Sequence, residues 1–361
     1  MELNTHPRGS GFVPKILYGV SPIGLGHATR SIVLSAELER RGAEVSFFSG
    51  GKAAEFIRDR GFRVDDIVED AVPHVSNGEM DRVALWYVRS WFANRRTVPR
   101  TLRLIDAGRP DLVVGDEEFS GIIAAGERRV KRVFIADELS LGFARTWIAR
   151  KIEARVDRWY KGLQKSVDLL VIPERGVDGG NRRFVGPIVR AITRSPDETR
   201  EAYRLPPDRM VLFAISGSGL GREFALRVRD SLIAAGLAGV SLAVTGNRGP
   251  KVEGERVYDL GVVPDNQNLV AAADLVISTA GKSTIDEAAA AGTPIIALPI
   301  RHHAEQERNA AALGYTSSDS SRLPELIREK LGKRQPPLRF TGELEASDVI
   351  MSLLDGERAG V

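Results

Sequence analysis

Apolar residues gather in short unbroken runs along the chain, and each run is followed by a small-residue turn and a stretch with helical spacing. Residues 15–20, KILYGV, predict a buried strand; Gly24 and Gly26 form the turn, and Ile32, Val33, Ala36 and Leu38 space the helix behind it. The pattern repeats. Strands are expected over 44–49 and 62–68 with a helix over 52–60 between them, then over 112–115, 132–136 and 168–172, the last after a helical stretch carrying Trp147 and Trp159. Such alternation implies parallel strands joined by crossover helices. In FVGPIVR, at 184–190, the Gly186-Pro187 pair breaks regular structure, and the polar stretch through Pro196 and Pro206-Pro207 marks a domain boundary. Strands are then expected over 211–216, 241–244, 258–263 and the run before Ser278, with helices over 265–272 and 283–291, the latter stopped by Gly292 and Pro294. Helical spacing returns at 323–331 and 344–354. The expected fold class is α/β, with two Rossmann-like doubly wound domains, 1–186 and 187–361, facing across a cleft.

Composition narrows the chemistry. The 361 residues suffice for two cores, and 43% hydrophobic with 27% charged residues is ordinary for a globular chain. A net charge of +3 gives no reason to expect a nucleic-acid partner. There is no cysteine, which removes disulfides, thiolate nucleophiles and cysteine metal sites and fits a reducing compartment. No apolar run reaches membrane-spanning length and MELNTHPRGSGF has no signal-peptide pattern, so a cytoplasmic protein is expected. One segment qualifies this. Over 80–105, Val83, Trp86, Tyr87 and Trp91 follow helical spacing with Arg89, Arg95, Arg96, Arg100 and Arg103 interleaved. It reads either as a core-packed helix with a basic outer face or as a peripheral membrane contact.

The richest stretch is 274–310, DLVISTAGKSTIDEAAAAGTPIIALPIRHHAEQERNA. A helix that starts at a small-residue turn leaves its first N–H groups unpaired at the positive dipole end, where phosphate is the natural ligand. Gly281, Lys282, Ser283 and Thr284 form that start. Ser283 and Thr284 read equally as plain helix caps. Glu287, one turn on, is placed to accept hydrogen bonds from a ribose diol rather than to meet phosphate. Gly281-Lys282-Ser283 is not a P-loop, because the required earlier glycine is Val276. Gly217-Ser218-Gly219-Leu220-Gly221 is not a dinucleotide fingerprint, because Arg222 occupies the third glycine position and Thr245-Gly246-Asn247 supplies no acidic ribose partner. In the N-terminal half His27 opens a helix, where the dipole should lower its pKa and keep the imidazole neutral as a general base. Arg30, one turn on, reads as an acceptor-phosphate ligand or as a surface arginine. Asp116, Glu117, Glu118, Asp137 and Glu138 end successive strands on the edge that carries His27. There an acidic group orients His27, acts as the base itself or binds the acceptor. No Asp-x-Asp suggests a metal.

The run from Ser278 to Ala310 resembles the nucleotide-sugar signature of GT-B glycosyltransferases, most closely the MurG-like (family 28) enzymes. The resemblance rests on Gly281, Thr284, Glu287, Gly292-Thr293-Pro294, Pro299 and the run from Gln306 to Ala310, with Gly24-Leu25-Gly26-His27 matching the first loop. It departs in two places: Gly186 is followed directly by Pro187, and Lys282 stands where the family commonly has a small residue. The resemblance implies a UDP-sugar donor, with N-acetylglucosamine as its sugar, an acceptor that is lipid-linked in the family, and no cofactor. It implies roles for Gly217, Ser218, Gly219 and the start at Gly281 to Thr284 on the diphosphate, and for Val262 and Val263 at the base. Glu287 would hold the ribose, and Gln306 and Asn309 the sugar, with closure about Gly186 and Pro187 excluding water. A UDP-N-acetylglucosamine 2-epimerase and a non-catalytic sugar-nucleotide-binding subunit are the alternatives that share this architecture.

Overall fold

The computed structural model describes residues 13–69, 74–76, 79–137, 141–215, 221–237, 239–247 and 249–355. The N-terminal half runs β1 (Lys15–Val20), α1 (Gly26–Arg40), β2 (Glu44–Ser49), α2 (Gly51–Arg58), β3 (Val64–Asp66), β4 (His74–Ser76), β5 (Glu79–Asp81), α3 (Val83–Gly108), β6 (Leu112–Asp116), α4 (Phe119–Arg128), β7 (Lys131–Ile135), α5 (Trp147–Ser166), β8 (Leu169–Ile172) and β9 (Arg182–Phe184). It continues with α6 (Pro196–Ala202), β10 (Met210–Ala214), α7 (Gly221–Ala234), β11 (Ser241–Thr245), β12 (Val257–Gly261), α8 (Asn266–Ala272), β13 (Leu275–Ser278), α9 (Lys282–Ala291), β14 (Ile295–Ala297), α10 (Ala304–Ala312), a 3-10 turn (Ser317–Arg322), α11 (Leu323–Lys330) and α12 (Gly342–Asp355).

These elements form two parallel sheets, ordered β3-β2-β1-β6-β7-β8-β9 and β12-β11-β10-β13-β14, and a separate β4-β5 hairpin. The strands are almost continuously apolar because crossover helices cover both faces: Tyr18, Phe47, Val114 and Ile135 are buried in the first core, and Val211, Phe213 and Ile277 in the second. Strand order reverses between β1 and β6 and again between β10 and β13. At such a reversal the outgoing loops diverge and leave a crevice at the carboxyl ends, where open α/β sheets bind ligands. Parallel register pairs Val20 with Asp116, which sets that carboxylate at the first crevice.

The last helix leaves the second sheet: Ala346, Ile350 and Met351 of α12 are buried in the same core as Ile16, Tyr18 and Leu34. To get there it crosses the connection between the sheets at backbone contact, since a Cβ on Gly342 would lie 2.4 Å from the Pro187 carbonyl oxygen and 2.5 Å from that of Gly186. Gly186 itself has φ +73°, which a non-glycine residue would adopt only with strain. The hydrophobic pattern has no counterpart for the hairpin, for β9 or for the short helices α4, α6 and α10, of which α6 falls in the stretch expected to be irregular. β9 begins Arg182-Arg183 and joins the sheet through β8, so as an edge strand it need not be apolar.

Candidate functional site

His27 is the second residue of α1, and its Nδ1 lies 2.9 Å from Asp116 Oδ1. The His27 side chain is 20% exposed and that of Asp116 is fully buried. Asp116 is also held by Arg30, whose Nε donates to Oδ2 at 2.7 Å and whose Nη2 donates to Oδ1, and by Ser31, whose hydroxyl donates to Oδ2 at 2.9 Å. Arg30 reaches further, with Nη1 bound to Asp137 Oδ1. The carboxylate is the stronger acceptor, so the Nδ1 proton goes to Asp116 and Nε2 carries the lone pair. Arg30 Nη2, 3.0 Å from Nδ1, competes for the opposite tautomer.

The electrostatics correct one expectation. Burial is the largest influence and pulls the His27 pKa down, as does the nearby Arg30 charge, but the hydrogen bond to Asp116 and the charges of Asp116 and Asp137 together outweigh them, and the imidazole is raised above its ordinary value. Asp116 itself is pushed well below the carboxylate range: burial opposes ionisation, and the Arg30 guanidinium wins. A buried, fully bonded and permanently ionised carboxylate is an orienting group rather than a base. Arg30 is likewise neither a surface arginine nor free for an acceptor phosphate, being 8% exposed and tied to two carboxylates.

The other acids at the strand ends separate by role. Glu118 caps α4, accepting from the Ser120 amide at 2.9 Å and the Gly121 amide at 2.7 Å. Glu117 has φ +47° and accepts from the Tyr160 hydroxyl at 2.9 Å and the Asp137 amide at 3.2 Å. Burial and the Asp137 carboxylate push it up to about 7. Across the crevice Glu305, in the first turn of α10, is pushed up to about 7 by burial and by Asp137, against the pull of His27 and Arg30. Asp137 is one of the acids that the sequence places at the strand ends, and Glu305 belongs to the polar run after Pro299; Tyr160, inside the long helix α5, carries no signal in the sequence. Glu138 lies outside the described residues.

On the second sheet α9 begins at Lys282 with Gly281 as N-cap, and no side chain caps it. The first intrahelical bond is Ile285 N to Gly281 O at 3.2 Å, so the amides of Lys282, Ser283 and Thr284 have no helical partner. The turn before them is held open by Asn309, whose Nδ2 donates to the Ala280 carbonyl at 3.1 Å, and Ala280 has φ +61°. This start faces α1: a Cβ on Gly26 would lie 3.0 Å from Ser283 Oγ. Two uncapped helix openings therefore meet beside His27. Lys282 is spent locally, its Nζ lying 2.7 and 2.6 Å from the carboxylate oxygens of Asp286.

Glu287 is 4% exposed and receives Arg190, from the connection between the sheets, on Oε1 at 2.8 Å from Nε and 2.7 Å from Nη2. Arg190 Nη1 and Arg60 Nη2 both donate to the Pro264 carbonyl, at 3.2 and 2.7 Å. Beside it Val262 is exposed and Val263 buried. Gln306 is turned inward, its Oε1 accepting from the Ile300 amide at 3.0 Å. Gln306 and Asn309 thus brace the loops around the crevice in this arrangement. Gly217, Ser218 and Gly219 lie outside the described residues. Among the described residues no cluster of three or more His, Asp or Glu is placed to hold a metal ion.

In α3, Val83 and Tyr87 are buried and Trp86 packs edge-on against Phe143, whereas Leu85, Val88, Trp91 and Phe92 are exposed. Trp91 and Trp159 flank a slot of about 410 Å³ that also contacts Arg95 and Glu127. No helix among the described residues is long and apolar enough to cross a membrane.

Comparison with known proteins bears on both halves. A model described as Glycosyl transferase family 1 matches residues 14–157, and one described as Glycosyltransferase family 28 C-terminal domain matches residues 246–319. An uncharacterized glycosyltransferase of Methanosarcina acetivorans is 25% identical over 375 residues, covering 95% of this chain and 98% of that protein. The UDP-N-acetylglucosamine--N-acetylmuramyl-(pentapeptide) pyrophosphoryl-undecaprenol N-acetylglucosamine transferase of Corynebacterium diphtheriae is 26% identical over 304 residues, 80% of this chain and 77% of its own. Among solved structures, the glycotransferase of kitacinnamycin shares the fold with a TM-score of 0.66 at 16% identity, over 95% of this chain and 100% of that one.

Proposed function

The chain is a GT-B glycosyltransferase related to family 28, and from that premise we propose that it moves a sugar from a UDP-sugar onto an acceptor hydroxyl with inversion at the anomeric carbon. The donor lies on the second sheet and the acceptor over the first. The observation that carries this reading is the meeting of the His27–Asp116 pair with the uncapped start of α9 at the Gly26–Ser283 contact. His27 Nε2 takes the acceptor proton as the hydroxyl oxygen bonds to the anomeric carbon, and the bond from that carbon to the β-phosphate oxygen breaks. Asp116 holds the ring and stabilises the imidazolium. The amides of Lys282, Ser283 and Thr284, with the α9 dipole and the loop at Gly217 to Gly219, receive the negative charge of departing UDP. Glu287, fixed through Oε1 by Arg190, presents its other oxygen to the ribose, and Val262 and Val263 flank the base.

We take N-acetylglucosamine as the sugar and a lipid-linked alcohol as the acceptor, on the strength of the corynebacterial relative's name. The exposed Leu85, Val88, Trp91 and Phe92 of α3, beside its arginines, supply the peripheral membrane contact that such an acceptor requires. Liposome flotation tests this contact: binding should weaken in Trp91→Ala/Phe92→Ala, and unchanged flotation removes it. For the transfer itself, UDP release from UDP-N-acetylglucosamine should depend on an added acceptor and slow by about 10²-fold or more in His27→Ala. A 2-epimer formed without acceptor, or tight UDP-sugar binding with no turnover on any acceptor, would replace transfer by one of the two other readings.

A further inference from the structure

We infer that Arg30 is a positioning residue of the transfer reaction: by bridging Asp116 and Asp137 it locks the carboxylate that orients His27 and ties the ends of β6 and β7 into one floor beneath the acceptor. This rests on the reading of His27 as the base. Arg30 sits one turn after His27 on α1, so the two side chains share a helix face. From there its guanidinium reaches three acceptors on two strands: Asp116 Oδ2 at 2.7 Å, Asp116 Oδ1 and Asp137 Oδ1. Only a planar fork can satisfy carboxylates in this way; an ammonium would meet them one at a time.

The lock has an electrical side. Arg30 is the cation nearest the imidazole, with Nη2 at 3.0 Å from Nδ1, so it opposes protonation of His27 while Asp116 and Asp137 favour it. Glu117 from the end of β6 and Glu305 from α10 also act on the ring. Glu174 and the Lys282–Asp286 pair of α9 complete the charged groups around Arg30 and Asp137. Without Arg30 the site would hold two carboxylates against one histidine, and the base would stay protonated, hence inactive, to higher pH. Arg30 keeps Asp116 close enough to orient the ring without letting it saturate the ring with a proton.

The test is a histidine-selective NMR titration of the full chain, with the His27 signal assigned from its absence in His27→Asn, in wild type, Arg30→Gln, Arg30→Lys and Asp137→Asn. Arg30→Gln should move the His27 midpoint up, Asp137→Asn should move it down, and Arg30→Lys should restore most of the charge effect. On a working acceptor, the acid limb of kcat/KM should follow the same order. The loss of kcat in Arg30→Lys should remain about 10-fold or more, because the fork is gone. A His27 midpoint that agrees within fitting error in all folded variants overturns the inference, as does an equal loss of kcat with an unmoved pH profile. Should Arg30→Gln fail to fold, the downward shift in Asp137→Asn decides. The titration needs neither donor nor acceptor, so a wild type that transfers nothing would sink the glycosyl reading and leave this result standing.

Discussion

Gly26 and Ser283 touch across the crevice: a Cβ placed on the first would sit 3.0 Å from the hydroxyl oxygen of the second. They open helices from different sheets, and neither helix start carries a side-chain cap. Such openings are costly to leave dry, because their N–H groups want acceptors. A diphosphate is a ligand that satisfies both charge and hydrogen bonding at that point.

His27→Ala should lower kcat by about 10²- to 10⁴-fold while leaving UDP affinity within about 2-fold of wild type. Asp116→Asn should fall in the same range, because an amide no longer selects the Nδ1–H tautomer and leaves Arg30 short of a counter-charge. Steady-state kinetics with separate calorimetry of UDP binding checks this. A His27→Ala protein that keeps its kcat would remove the base from the mechanism.

Glu287→Gln retains the volume of the side chain but not its charge, so UDP binding should weaken by about 10-fold, which corresponds to ~1.4 kcal/mol. Its Tm should drop as well, since the buried partner of Arg190 becomes neutral. Equal donor affinity in wild type and variant would show that the ribose is held elsewhere.

The fold was legible wherever a strand is covered on both faces, because burial forces an unbroken apolar run; β1, β2, β6 and β10 illustrate this. The hairpin and β9 were not, since short edge elements carry no such constraint. Within the site, sequence spacing placed Arg30 under His27 but could not tell what faced it. The answer lies 86 and 107 residues away, on strand ends brought alongside by the sheet. The His27 pKa runs against the sequence expectation for the same reason: the helix dipole is local and visible in sequence, whereas the contact with Asp116, 89 residues away, is not. Gln306 and Asn309 matched a motif, yet whether such amides turn to ligand or to backbone is decided by the loops they brace.

Acidity should stabilise this protein over part of its range. Glu117 and Glu305 titrate at about 7 in the folded chain against an ordinary 4.5, so the folded state holds protons that the unfolded chain releases between those values. Their contribution is complete below about pH 4.5 and is lost as pH rises through 7. His27, also raised, adds in the same direction. The depressed pKa of Asp116 acts the opposite way only in strong acid, whereas His303, which burial pulls down to about 4, acts the opposite way up to about pH 6.5 and offsets part of the fall. Wild-type Tm should therefore fall by roughly 4 °C or more between pH 5 and 8, and Glu117→Gln/Glu305→Gln should flatten the slope. A wild-type Tm that rises over this interval contradicts the assignment.

Gly342→Ala should destabilise by about 1–3 kcal/mol, because its Cβ would have to displace the Gly186 and Pro187 carbonyls where α12 passes the connection. Gly162, inside α5 with open space around its Cβ position, is the control. Gly162→Ala should stabilise by up to about 1 kcal/mol through helix propensity alone. Chemical denaturation of both variants measures the contrast, and equal effects would mean that the Gly342 crossing is not tight in solution.

The most direct measurement of the central claim is a crystal structure of the chain with UDP bound. The expected result puts β-phosphate oxygens at about 3 Å from the amides of Lys282, Ser283 and Thr284, with the ribose on Glu287 and the crevice open to His27 Nε2. Ordered UDP in any other place, with those amides still facing solvent, would contradict it.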